Sequence, residues 1–216
     1  DASKSRGLGD VYKRQIGYNL RFHPIMQKLK SLLVNKIVIS VNIYVGQYLP
    51  NWRKNIDYRK SYSAKKVDGG GVLRDLSHEI DYALWFFGPW EKMTSHGGQL
   101  SKLQIDTDDI YTILLKSKLC PIISIQMSYL DRIKKRQILI NTDSDHYEVD
   151  LINNYIIING KKEQIPVEEN ESYRKMHSAV LGNMTEDLCT IGEGLSILNL
   201  IKEAEKVNGK EWSVNE

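Results

Sequence analysis

This chain of 216 residues is short of the features that tie a protein to a membrane, a disulfide framework or a nucleic acid. It has no run of about 18 apolar residues, so no membrane span is expected. The two cysteines, Cys120 and Cys189, stand far apart among apolar neighbours, which excludes a disulfide framework and fits buried thiols in a cytoplasmic protein. The five histidines, at 23, 78, 96, 146 and 177, show no zinc-type spacing, so no metal is expected. The net charge of +3 is too small for a nucleic-acid footprint. There is no internal repeat, no low-complexity stretch and no apolar core of a signal peptide. A dinucleotide fingerprint is absent too: in Gly7-Leu8-Gly9, Tyr12 takes the place of the third glycine, and no hydrophobic strand precedes it. Residues 1–15 are polar, basic and aperiodic. They read as a foreign or scrambled leader, with globular sequence from Ile16 to Glu216.

What is present is one chemistry-bearing stretch, Gly69-Gly70-Gly71-Val72-Leu73-Arg74-Asp75-Leu76-Ser77-His78-Glu79-Ile80-Asp81-Tyr82. Read as one helix over residues 70–87, it puts Gly71, Asp75, His78, Tyr82 and Trp85 on one stripe, with Asp81 at its edge. Val72, Leu76, Ile80, Ala83, Leu84 and Phe87 form the opposite, apolar face. The glycines allow another backbone or a ligand to come close to the helix start. A plain turn followed by a solvated helix face accounts for the same residues without chemistry.

Periodicity places a helix from Pro24, with Ile25, Leu29, Leu32 and Leu33 at helical spacing. A strand follows in which Ile37, Ile39, Val41, Ile43 and Val45 share a face. Residues 46–68 form a long polar excursion rich in aromatics and cations, which is longer than an ordinary connection. Residues 90–158 read as successive strands, clearest at 110–116, 122–129, 136–141, 146–151 and 155–158, and their short turns predict antiparallel pairing. Helices at 171–183 and 194–207 close the chain, the second ended by Asn208-Gly209 as a left-handed cap. The fold class is α+β, an open and mainly antiparallel sheet with helices on one face, and a second copy is expected to cover the other face.

Gly17 to Pro24, Tyr44 to Trp52, Asp57-Tyr58-Arg59, Tyr62-Ser63-Ala64, the glycine-led helix and the final helix pair together resemble the carboxy-terminal domain of the Gfo/Idh/MocA family of nicotinamide-dependent oxidoreductases. The resemblance runs from Ile16 to Glu216. It implies a substrate-binding and oligomerising domain, with NAD or NADP bound mainly by a Rossmann domain that this sequence lacks. The family's Glu-Lys-Pro segment, whose lysine contributes to catalysis, is also missing, so this piece is not expected to be active alone. By resemblance the substrate is a sugar, nucleotide sugar or cyclitol oxidised at a secondary alcohol. His78 is then the proton shuttle and Asp75 its partner or a substrate hydroxyl contact, although the gap between them is three residues where many members have four. Trp52, Tyr58 and Tyr62 are candidates to stack on sugar faces. Arg53, Arg59 and Lys65 are candidates to hold hydroxyls or a diphosphate, and Arg21 and His23 to join them. The alternative is a non-catalytic sugar-binding or oligomerising module.

Overall fold

The computed structural model describes residues 15–208. A single helical turn, Asn19–Phe22, leads into α1 (Pro24–Leu32) and β1 (Val38–Gly46). Four short 3-10 turns fill residues 49–68. Then come α2 (Val72–Asp75), α3 (His78–Phe87), β2 (Trp90–Gly98), β3 (Ile110–Ser117), β4 (Ile122–Ser128), β5 (Lys135–Thr142), β6 (His146–Asp150), β7 (Tyr155–Ile158), β8 (Lys161–Gln164), α4 (Glu171–Leu181) and α5 (Ile191–Val207). The strands make one sheet in the order β2-β3-β4-β1-β5-β6-β7-β8. Every neighbouring pair is antiparallel except β1 and β4, which run parallel because α2, α3 and the β2–β3 pair intervene between them in the chain.

Alternation decides which side chains enter the core. Val41, Ile43 and Val45 of β1, Ile113 and Leu115 of β3, Ile123, Ile125 and Met127 of β4, and Ile138 and Ile140 of β5 are buried, in one cluster with Ile80, Ala83 and Phe87 of α3 and Leu200, Ile201 and Ala204 of α5. On the opposite side the register sets Leu114, Ser124, Asn42 and Leu139 in one row across four strands. Both leucines in that row are exposed. The α+β class and the one-sided helical cover are as the sequence predicts.

Three local differences have physical causes. Ile37 and Ile39 do not share the face of Val41; a register shift between Val38 and Ser40 turns both outward. The glycine-led helix is two helices, because Leu76 leaves helical geometry at φ −107° and ψ 25° and Ser77 begins α3. Both sides of α3 are then covered, so Asp81 and Tyr82, expected on a presented face, are wholly buried. β8 has no apolar pattern. It forms because Asn159 and Gly160 both take positive φ, at 49° and 83°, and fold a tight hairpin onto β7. Gly209 of the expected terminal cap, like residues 1–14, lies outside the described residues.

The glycine run is explained by packing. Gly71 sits at φ +114°, a conformation that L side chains avoid, and the carboxylate of Asp108 occupies the space a β-carbon would need. A β-carbon on Gly70 would collide with the backbone of Tyr62 and Ser63. Gly71→Ala is expected to destabilise the fold by about 2 kcal/mol or more. Urea denaturation measures it, and an unchanged midpoint would contradict this account.

Candidate active site

The close approach at Gly70 brings the end of the polar excursion against the start of α2. Asp108 then fixes α2 from outside: its backbone oxygen accepts from Val72 N–H at 3.0 Å and its side chain from Leu73 N–H at 2.9 Å. These bonds satisfy donors at a helix start that has no capping side chain of its own. Asp75 at the end of α2 and His78 at the start of α3 follow from this placement.

Asp75 is held from the sheet. The Tyr129 hydroxyl, just past the end of β4, donates to Asp75 Oδ2 at 2.7 Å. Burial and then the Asp75 charge push the Tyr129 phenol far above its ordinary value, so it stays a donor. Trp52 of the excursion packs edge-on against the Tyr129 ring at 5.2 Å, and its indole N–H donates to the Gln47 carbonyl at 3.2 Å. A second tie, Leu49 N–H to the Tyr129 carbonyl at 2.9 Å, fixes the start of the excursion to the same residue. One tyrosine thus joins the aromatic loop to the helix that carries the acid.

His78 is mostly buried beneath Tyr18, whose ring meets it edge-on at 5.1 Å while its hydroxyl donates to Ser77 Oγ at 3.2 Å. The Nδ1 atom of His78 is buried and has no hydrogen-bond partner among the described residues. Burial, helped by the Arg136 charge, lowers its pKa from 6.5 to about 4. At neutral pH the ring is therefore uncharged.

The other expected site residues are placed differently. Arg21 is 2% exposed, and its guanidinium is taken up by Asp81 at 2.7 and 3.1 Å and by Glu193 at 3.0 Å. His23 is buried, and its Nδ1 caps α1 by accepting from Ile25 N–H at 3.3 Å. Both are occupied inside the fold. Arg59 forks onto Asp57 and also reaches Gln104 at 3.0 Å; Lys65 lies 3.9 Å from Asp68. The Tyr58 hydroxyl accepts from Gln104 N–H at 3.3 Å. Arg53 lies over the exposed ring of Tyr62 at 5.1 Å, with no carboxylate partner among the described residues.

Sequence reasoning missed Tyr129, Tyr18, Asp108 and Arg136. Arg136 binds the buried Glu79 at 2.8 and 3.3 Å, next to His78 in the chain. Tyr18 lies in the Gly17–Pro24 segment but nothing local points it at His78; Tyr129, Asp108 and Arg136 carry no local motif, and the long-range pairing alone reveals them. A concavity of about 660 Å³ lies on the excursion, around Arg53 and Lys54; neither His78 nor Asp75 lines it, nor the cavities beside Phe22, Trp85, Tyr58 and Gly98. Among the described residues no group of three or more His, Cys, Asp or Glu is placed to hold a metal ion, and no helix is long and apolar enough to cross a membrane. Both cysteines are free and buried.

A sequence profile of the GFO/IDH/MocA C-terminal domain matches residues 27–153. No functionally curated protein matches the chain by sequence. Among solved structures, the UDP-N-acetylglucosamine 3-dehydrogenase GnnA of Acidithiobacillus ferrooxidans is similar, with a TM-score of 0.70 at 17% identity, over 90% of this chain and 61% of that one. An oxidoreductase of Thermotoga maritima gives 0.73 at 19% identity, over 90% and 60%. The WlbA dehydrogenase of Bordetella pertussis, solved with NADH and UDP-GlcNAcA, gives 0.68 at 17%, over 88% and 60%. These likenesses show a shared fold, and the chain spans about three fifths of the length of each of these structures.

The His78 environment predicts a pH-dependent stability. Between pH 6.5 and about 4 the unfolded chain takes up a proton at this position that the folded chain refuses. That stability is present in full above 6.5 and is lost as pH falls through the window. The melting temperature of the wild type should fall more steeply from pH 7 to pH 5 than that of His78→Gln. Parallel slopes would contradict a buried neutral ring.

Proposed function

The chain belongs to the GFO/IDH/MocA family, and from that premise we propose that it is the substrate-binding part of an NAD(P)-dependent oxidoreductase acting on a secondary alcohol of a sugar, nucleotide sugar or cyclitol. The observation that carries this reading is the Trp52–Tyr129–Asp75 connection, which joins an aromatic loop suited to a sugar face to the helix pair bearing Asp75 and His78. Oxidising an alcohol requires a proton acceptor at the hydroxyl; His78 is uncharged at neutral pH, and its Nδ1 is unpartnered among the described residues. In this reading His78 takes or relays the hydroxyl proton. Asp75, held by the Tyr129 O–H, orients the substrate hydroxyl or the ring. Trp52, with Tyr58 and Tyr62, forms the sugar wall, and Arg53 offers hydroxyl contacts.

The hydride is the coenzyme's part, and the described residues do not fit a dinucleotide. The triple-glycine entry into α2 is filled by the Asp108 carboxylate, which would repel a pyrophosphate. Binding of NAD or NADP therefore falls to a separate nucleotide-carrying domain. The chain alone should show no NADH affinity by calorimetry; tight binding would refute that division. The exposed row of Leu114 and Leu139 supports a second copy of the chain as the cover of the open sheet face. Sedimentation equilibrium should return a dimer; a monomer at high concentration would remove that part of the proposal.

In the full-length enzyme, His78→Ala should lower kcat on a sugar substrate by about 10²–10⁴-fold. Turnover close to the wild type would exclude His78 as the proton acceptor.

A further inference from the structure

The break between α2 and α3 sets Asp75 and His78 relative to one another, and it has no lock of its own. Leu76 leaves helical geometry there, and Ser77 begins α3 without using its side chain as a cap. Tyr18 reaches both residues that follow the break. Its hydroxyl donates to Ser77 Oγ at 3.2 Å, and its ring meets the His78 ring edge-on, with centroids 5.1 Å apart and planes at 86°. Burial raises the Tyr18 phenol above its ordinary value, so the hydroxyl stays a donor at neutral pH.

Tyr18 is itself fixed by the turn that follows it. Asn19 donates to Ser172 Oγ of α4 at 2.8 Å, and Arg21 is held by Asp81 and Glu193. Before the turn, Tyr18 N–H donates to the Ile16 carbonyl at 2.9 Å, and Ile16 pairs with Cys189. The charged and titratable groups around the two rings are Arg136 of β5, itself bound to Glu79, for His78, and Asp81, Cys189 and Arg21 for Tyr18. Nδ1 of His78 is buried and has no hydrogen-bond partner among the described residues. No hydrogen bond at that nitrogen orients the imidazole, so its direction falls to packing, and the Tyr18 ring is the aromatic surface against it. Nε2 is then the nitrogen left open to a ligand.

We propose that Tyr18 is a positioning residue for His78: its hydroxyl holds Ser77 at the α2–α3 break, and its ring covers the imidazole so that Nε2 is the nitrogen presented to a substrate hydroxyl. The inference rests on the dehydrogenase reading above and adds to it the residue that aims the ring. Tyr18 acts through His78 and need not touch the substrate itself.

Histidine-selective NMR of the full-length protein, with the His78 signal identified by its loss in His78→Gln, reads the ring without any substrate. Tyr18→Ala should move the His78 titration from about 4 up toward 6.5, whereas Tyr18→Phe, which keeps the ring, should leave it low. Steady-state kinetics with UDP-N-acetylglucosamine and NAD read the part of the hydroxyl. Tyr18→Phe and Ser77→Ala should each lower kcat by about 2- to 10-fold with KM unchanged, and the double variant should lose no more than either alone. In a His78→Ala background, Tyr18→Ala should cost no further kcat. The two conservative variants preserve the packing, so they decide the matter even if Tyr18→Ala does not fold. An unmoved titration in Tyr18→Ala, an additive loss in the double variant, or a rise in KM alone would overturn the positioning role. If His78→Ala loses turnover while the Tyr18 variants behave as the wild type, that role alone is refuted and the dehydrogenase reading stands. Wild-type turnover in His78→Ala would remove that reading, and the inference with it.

Discussion

The hydrogen bond from the Tyr129 hydroxyl to Asp75 is the contact on which the rest of the site depends. Asp75 stands at the end of a four-residue helix that has little stability of its own, so its direction is set from outside. Asp108 fixes the start of that helix and Tyr129 fixes its end. Because Tyr129 also carries Trp52 and the start of the excursion, the sheet, the loop and the helix pair are registered to one another through one buried ring.

The electrostatics follow the same economy. α3 carries two wholly buried acids, Glu79 and Asp81, and each is taken by an arginine from a distant part of the chain, Arg136 and Arg21. Leaving either acid alone in the core would cost several kcal/mol, on the order of 3–5, so these pairs fix how α3 lies. His78 sits beside them with no such partner and is kept uncharged by burial and by the Arg136 charge. Arg136 thereby acts on His78 as well as on Glu79.

Alternation made most strands readable in the sequence, because a one-sided core imposes a period of two from Ile110 to Ile158. The capping box at Thr190 and Glu193 starts α5 three residues before the apolar pattern suggests. The rest was hidden for physical reasons. A bulge in β1 changes which isoleucines face inward without changing the alternation itself. The break at Leu76 and Ser77 has no glycine or proline to announce it. Arg21 looks like a ligand-binding cation because nothing near it in sequence reveals a carboxylate 60 residues away. Tyr129 looks like one more strand aromatic until the parallel pairing of β1 and β4 brings it to the excursion.

The central claim is that a sugar occupies the space between Trp52 and the Asp75–His78 helix pair. A crystal structure of the full-length protein soaked with a nucleotide sugar tests it most directly. The account predicts the reacting hydroxyl within about 2.6–3.2 Å of a His78 ring nitrogen, with the ring against Trp52. A sugar seated instead in the cavity of about 520 Å³ beside Phe22 and Met184 would contradict it.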